Sequence, residues 1–301
     1  MAISSATLDT WSNQGATVTP KNLREKIEKK LTGDDSKIRH KNQLEIYLQG
    51  SYRNSTNIYG NSDVDVVVQC DATFFSDVSE LDTYEESLFH KSFSDSTYKW
   101  DDFKQEIVET LEDAFGEENI EIGNKSIKID SGTYEADVVP CFEYRKYTNF
   151  GTDEADREYI SGIKFYTTNE SRSVVNYPKE HYKLGAKKNK RVNMLYKPTV
   201  RIFKNMKKKL IEKEMIIKEE VPSYFLENLL YNVPDVKFMV SDSSNRVYEI
   251  LVWLSENKNA LMNFVCQNEQ VSLFGTSPEQ WNETDARKFI NQVINLWNGW
   301  S

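Results

Sequence analysis

The chain has 301 residues and a mass of 35.1 kDa, enough for one large domain or two lobes with a sizeable core. Hydrophobic residues make up 39% and charged residues 28%, the balance of a soluble globular protein. A net charge of -9 and a pI near 5.1 argue against a dedicated binder of long nucleic acid. No stretch reaches the ~18 apolar residues of a membrane span. The first residues, MAISSATLDTWSNQGATVT, lack the basic start and long apolar run of a signal peptide, so the expected location is the cytoplasm. Cys70, Cys141 and Cys266 are far apart with no CxxC, and His40, His90 and His181 are the only histidines. Buried or half-buried thiols in a reducing compartment are expected, rather than a disulfide framework or a zinc site.

Pro20 and the following KNLREKIEKKL predict an N-terminal helix. Leu44–Gln49 alternates as a strand does, with Gly50 and Ser51 as the turn that follows and a polar loop from Asn54 to Ser62. Asp63–Gln69, DVDVVVQ, is valine-rich and predicts a central strand. Phe103, Ile107, Leu111 and Phe115 have helical spacing within Trp100–Phe115, closed by Gly116. Strands are expected at Ile120–Ile129 and Gly132–Cys141. The stretch from Arg145 to Arg191 mixes turn residues and lysines. Past Pro198 the texture turns helical, over Thr199–Ile217, Ser223–Tyr231, Ser241–Ser255 and Thr284–Trp297. The pattern is α/β followed by an all-helical last third, which divides the chain into residues 1–195 and 196–301.

Asp63 and Asp65 stand two apart on a predicted strand, so their carboxylates project from one face. Like charges this close repel, and Mg²⁺, which favours one or two carboxylates plus phosphates and water, removes that cost. The alternative is a strand with a solvated face. Val66–Val68 marks a buried strand, where two unpartnered carboxylates are costly. Gly50-Ser51 ends the preceding strand, where backbone and hydroxyl donors can approach a phosphate, although such a pair is most often just a turn. Asp137, in YEADVVP, is a third carboxylate among apolar neighbours, able to meet the first two across the sheet.

QGSYRNSTNIYGNSDVDVVV followed by EADVVP resembles the active-site signature of the polymerase-β-like nucleotidyltransferases: GS, about a dozen residues, DxD, then a later acidic residue. NYPKEHY (Asn176–Tyr182), KPTVRIFKNMK (Lys197–Lys207) and PSYFLENLLYNVP (Pro222–Pro234) resemble the bacterial CD-NTases, relatives of cyclic GMP-AMP synthase, and in particular their E clade. The resemblance spans roughly residues 40 to 300. It implies a mixed-sheet nucleotidyltransferase core with a C-terminal helical lobe that completes the nucleotide pocket. It also implies synthesis of a signalling cyclic dinucleotide from NTPs in anti-phage defence, with a downstream effector that binds the product.

The same resemblance implies roles. Asp63, Asp65 and Asp137 hold two Mg²⁺ ions, and Asp137 helps to activate the attacking 3′-hydroxyl. Gly50, Ser51, Lys204 and Ser223 meet the triphosphate, Tyr224 stacks on the donor base, and Asn176 borders a base edge. Clade members with asparagine there use pyrimidines, which makes UTP and ATP the expected substrates and cyclic UMP-AMP or cyclic di-UMP the expected product. Plainer readings stand beside these: a solvated helix face for Lys204, and more so for Lys207, Lys208 and Lys209; an N-cap for Ser223; a core position for Tyr224; a turn residue for Asn176; a structural role for His181. An RNA 3′-end tailing enzyme, a small-molecule or protein nucleotidylating enzyme and a non-catalytic nucleotide sensor are the alternative functions.

Overall fold

Three consecutive valines, Val66–Val68, are fully buried and hold the middle of a seven-stranded mixed sheet. The structure, a computed structural model, describes residues 2–60, 64–130, 132 and 135–300. Its contacts divide the chain into two units: a sheet unit, Thr17–Gln49 with Asp63–Lys179, and a helical unit, Met1–Ala16 with Gly50–Ser62 and Glu180–Ser301.

The strands of the sheet unit are β1 (Leu44–Leu48), β2 (Val64–Asp77), β3 (Ile120–Ile122), β4 (Ile127–Asp130), β5 (Glu135–Phe150), β6 (Arg157–Tyr166) and β7 (Ser173–Asn176). Their order is β1-β2-β5-β4-β3, with β6 joining β5 to β7. Of the pairings between these strands, β2–β5 is parallel and the other five are antiparallel. β5 uses its second edge twice, pairing β4 along its first residues and β6 along its last. The Trp100–Phe115 helix has the expected bounds, and Gly116 ends it at φ +93°, a conformation glycine adopts readily. Phe103, Ile107 and Leu111 are fully buried. Phe103 stacks on Phe142 of β5 at 5.4 Å, and Trp100 Nε1 donates to the Pro140 carbonyl at 3.0 Å. Burial of each such side chain contributes about 1.5–3 kcal/mol.

Several elements differ from expectation. The strand expected over Ile120–Ile129 is the β3–β4 hairpin, closed where the Gly123 N–H donates to the Ser126 carbonyl at 2.9 Å. β2 continues past Gln69 through a register shift between Cys70 and Phe74. The mixed stretch from Arg145 to Arg191 holds the end of β5, β6, β7 and the Pro178–Arg191 helix. Gly50 and Ser51 do not form a turn but open the short Gly50–Asn54 helix, with Gly50 at φ +61°. Cys70, Cys141 and Cys266 are buried thiols, as expected. Among the described residues no helix is long and apolar enough to cross a membrane.

In the helical unit, the Tyr196–Glu212 helix lays Val200, Phe203, Met206 and Leu210 into a core shared with the Ser223–Tyr231, Ser243–Glu256 and Glu283–Asn298 helices. The N-terminal residues belong to this core: Ile3 and Leu8 are fully buried, and Ser243 Oγ donates to Asp9 at 2.6 Å. Lys188 is buried among the rings of Tyr196, Tyr231 and Phe238, 5.0–5.7 Å from their centres, and pairs with Asp235 at 2.8 Å. Burial lowers its pKa, and the Asp235 carboxylate opposes that shift.

Gly185 sets two effects against each other. Alanine is favoured over glycine inside a helix by about 1 kcal/mol. A Cβ at Gly185, however, meets the buried Gln267 side chain at 2.2 Å. That amide donates to the His181 carbonyl at 2.7 Å and accepts from the Tyr196 hydroxyl at 2.6 Å. Gly185→Ala is therefore expected to lower the thermal midpoint, as checked by calorimetry. A raised midpoint would mean that Gln267 yields without loss.

Candidate active site

The sheet unit places two of the three expected carboxylates side by side. In the parallel pairing of β2 with β5, Asp65 is the register partner of Asp137. Adjacent strands lie about 4.8 Å apart and partners share a face. Both residues are half-buried. The row continues to Lys128 on β4 and Glu121 on β3. The flanking rows, Val64–Ala136–Ile129 and Val66–Val138–Ile127, are buried and apolar on the opposite face. Ser126, in the β3–β4 turn, donates to Asp137 Oδ1 at 3.0 Å and orients that carboxylate. Asp63 lies outside the described residues. Two half-buried carboxylates at this spacing, one tethered by a hydroxyl, form a donor set suited to a hard divalent cation.

Asn176 ends β7, where its backbone pairs with Ile163 and its side-chain oxygen accepts from the Tyr177 N–H at 2.8 Å. The amide thus bonds the residue that precedes the Pro178–Arg191 helix.

The helical unit holds the other candidates. Ser51 sits in the first turn of the Gly50–Asn54 helix, and its carbonyl accepts from the Thr56 N–H at 2.9 Å. The segment beyond it follows the Tyr196–Glu212 helix. The Arg201 guanidinium donates to the Ser55 carbonyl at 2.5 Å, Lys204 Nζ donates to Thr56 Oγ1 at 3.1 Å, and Gly60 lies beside Lys208. Lys204 is not on a solvated face. It is 5% exposed and forms an ion pair with Glu227, itself 4% exposed. Glu227 also accepts from Thr56 Oγ1 at 2.5 Å and from Asn54 Nδ2 at 3.3 Å. His181 Nε2 is 3.6 Å from its second oxygen, and neither His181 ring nitrogen makes a hydrogen bond among the described residues. Burial alone raises the pKa of a carboxyl group, yet Lys204, with His181 close by, holds Glu227 well below the usual carboxylate range.

Ser223 is not an N-cap. Pro222 takes that position, and Ser223 is the first helical residue. Tyr224 is 37% exposed rather than a core residue, and one ring face stacks on His181 at 5.3 Å. Lys207, expected in solvent, is 5% exposed, and burial followed by repulsion from Lys204 lowers its pKa to about 8.

Sequence reasoning passed over Glu227, Thr56 and Asn54 and placed Lys207 on a solvated face. Two of them left a signal. Glu227, with Asn228, interrupts the otherwise apolar run Phe225–Leu230, and Lys207 stands four residues after Phe203 and three before Leu210, within the apolar stripe.

Removing one partner of a buried ion pair costs about 3–5 kcal/mol, because the other charge is left uncompensated. Glu227→Ala is expected to destabilise by that amount in denaturant titration, and Lys204→Met with Glu227→Leu by less than the sum of the single changes. The sign with pH follows from the depressed pKa of Glu227. Its stabilising contribution is complete above the titration of unfolded glutamates, at about pH 4.3, and is lost as pH falls below it. Wild type and Glu227→Leu should therefore converge in stability on acidification, and a gap that stays constant down to pH 3 would contradict the pairing.

The model of the cGAS/DncV-like nucleotidyltransferase C-terminal helical domain matches residues 183–298. The cyclic nucleotide synthase CdnE01 of Staphylococcus haemolyticus is 58% identical over all of both chains. The solved Rhodothermus marinus CdnE c-UMP-AMP synthase, determined with Apcpp and Upnpp, superposes with a TM-score of 0.88 at 44% identity, covering 99% of this chain and 98% of that one. The Elizabethkingia meningoseptica CdnE cyclic dinucleotide synthase, determined with GTP and Apcpp, gives 0.77 at 29% identity, covering 99% and 100%.

Proposed function

The chain belongs to the CD-NTases, the cGAS/DncV-like nucleotidyltransferases, within their E clade of cyclic nucleotide synthases, and from that membership we propose that it joins UTP and ATP into a cyclic dinucleotide with two Mg²⁺ ions. The observation that carries this reading is the register pairing of Asp65 with Asp137 in a polar row between buried apolar rows. Asp63, Asp65 and Asp137 hold the metal ions. When bound, Mg²⁺ lowers the pKa of the attacking 3′-hydroxyl and neutralises the departing pyrophosphate. Asp137 orients the hydroxyl and takes its proton, with Ser126 fixing the rotamer of its carboxylate. Gly50, Ser51, Lys204 and Ser223 bind phosphate oxygens, and the Ser223–Tyr231 helix adds the unpaired N–H groups of its first turn. Tyr224 stacks on the donor base with the ring face that His181 leaves uncovered.

Uridine use rests on Asn176, whose amide offers both a donor and an acceptor to a uracil edge, and on 43% identity over the whole chain to the cyclic UMP-AMP synthase of Rhodothermus marinus. The product signals in anti-phage defence through an effector that binds it, and the enzyme acts in the cytoplasm.

Incubation with each labelled NTP, singly and in pairs with Mg²⁺, followed by product mass, tests the proposal. The expected result is a phosphatase-resistant cyclic product containing uridine. Asp63→Ala, Asp65→Ala and Asp137→Ala should each reduce it to background. Linear tails, or activity that survives Asp65→Ala and Asp137→Ala, would overturn the mechanism. Asn176→Ala is expected to lower uridine incorporation relative to adenosine.

A further inference from the structure

His181 is 4% exposed, and both of its ring nitrogens are buried without a hydrogen bond among the described residues. A neutral imidazole always carries one N–H, and a buried donor left unmet is costly. Packing alone does not call for an imidazole, because an apolar ring would stack on Tyr224 without that cost. His181 Nε2 stops 3.6 Å from Glu227 Oε2, just outside hydrogen-bond range. Tyr224 and Glu227 stand three residues apart on the Ser223–Tyr231 helix and so share a face. The same imidazole therefore lies against the tyrosine with its ring face and against the buried carboxylate with its edge.

The charges around this ring are few. Glu227 faces it from the Ser223–Tyr231 helix, and Lys204 of the Tyr196–Glu212 helix pairs with the other oxygen of that carboxylate. Lys197, half-buried on the same helix, also feels the Glu227 charge. Burial holds Tyr196, Tyr224 and Cys266 in their neutral forms. On its own helix Pro178, Leu184 and Gly185, one turn away, are uncharged. One buried carboxylate is thus paired with one buried ammonium group, and a neutral His181 preserves that balance. A triphosphate at Lys204 changes the count, because a single ammonium group then serves two anions. Added negative charge favours the protonated form of a neighbouring base. We infer that His181 is a positioning residue for the donor nucleotide: it supports the Tyr224 ring beneath the base and, when a triphosphate engages Lys204, takes a proton from solvent onto Nε2 and closes on Glu227 as the second cation. The proton returns to solvent when the phosphate leaves. This rests on the reading of Lys204 and Tyr224 as phosphate and base contacts, and it ties phosphate binding to base stacking through one side chain.

Calorimetric titration of the full-length protein with a non-hydrolysable UTP analogue and Mg²⁺, near neutral pH in buffers of different ionisation enthalpy, counts the protons exchanged on binding. His181→Phe keeps a stacking ring and removes the proton site, and subtracting it from wild type cancels the protons exchanged by the analogue itself. Wild type is expected to take up about one proton more than His181→Phe. Inorganic tripolyphosphate, which has no base, should give the same difference. His181→Leu removes the ring as well. Relative to His181→Phe it is expected to raise the KM for NTP about three- to tenfold, the scale of one aromatic stack, with a much smaller effect on kcat and an equal affinity for tripolyphosphate. Thermal unfolding checks that both variants are folded. Equal proton exchange by wild type and His181→Phe, or equal KM values for His181→Phe and His181→Leu, would overturn the inference and leave the proposed function in place. The proton difference in a protein that makes no cyclic product would leave the inference standing and overturn the proposed function instead.

Discussion

Parallel pairing of β2 with β5 sets two carboxylates next to each other, and the chemistry proposed for this chain depends on that register. Side chains alternate faces along a strand, so Asp65 and Asp137 share one face while Val66 and Val138 share the other. A slip of one residue on either strand would turn a carboxylate toward the apolar face that the Trp100–Phe115 helix covers. The valine run guards against this, because in this register Val66 and Val68 stand beside Val138 and Pro140 and are fully buried. Hydrophobic packing on one face therefore imposes electrostatic crowding on the other, which the proposed divalent cations would relieve.

The helical unit manages charge in the opposite way. Glu227 collects Lys204, Thr56 and Asn54 around one buried carboxylate and ties the segment after Ser51 to the Tyr196–Glu212 helix. Such a pair is a modest source of net stability, since desolvation offsets much of its attraction. Its larger effect is positional: the residues that follow Ser51 are held by side chains whose own partners are fixed.

Much of the fold was legible in the sequence where periodicity was strong. The Trp100–Phe115 and Ser223–Tyr231 helices have the expected ends because apolar spacing, Gly116 and Pro222 agree. β6 was not legible, because Arg157, Glu158, Tyr159 and Lys164 lie along a partly exposed strand where alternation is weak, and β7, with four residues, is too short to show a period. Gly50-Ser51 read as a turn because glycine and serine favour one, whereas a left-handed Gly50 lets the chain enter a short helix. Asp65 and Asp137 were legible because carboxylates beside valines are conspicuous. The partnership of Glu227 with Thr56 was not, because 171 residues separate them and no local pattern encodes it.

The central claim, that the paired aspartates hold divalent cations, is tested most directly by counting them. Mn²⁺ bound to the full-length protein in the presence of a non-hydrolysable NTP analogue can be measured by electron paramagnetic resonance. The account predicts two ions per chain for the wild type and loss of at least one on Asp137→Asn, with the protein still folded. Equal Mn²⁺ binding by the two proteins would contradict it.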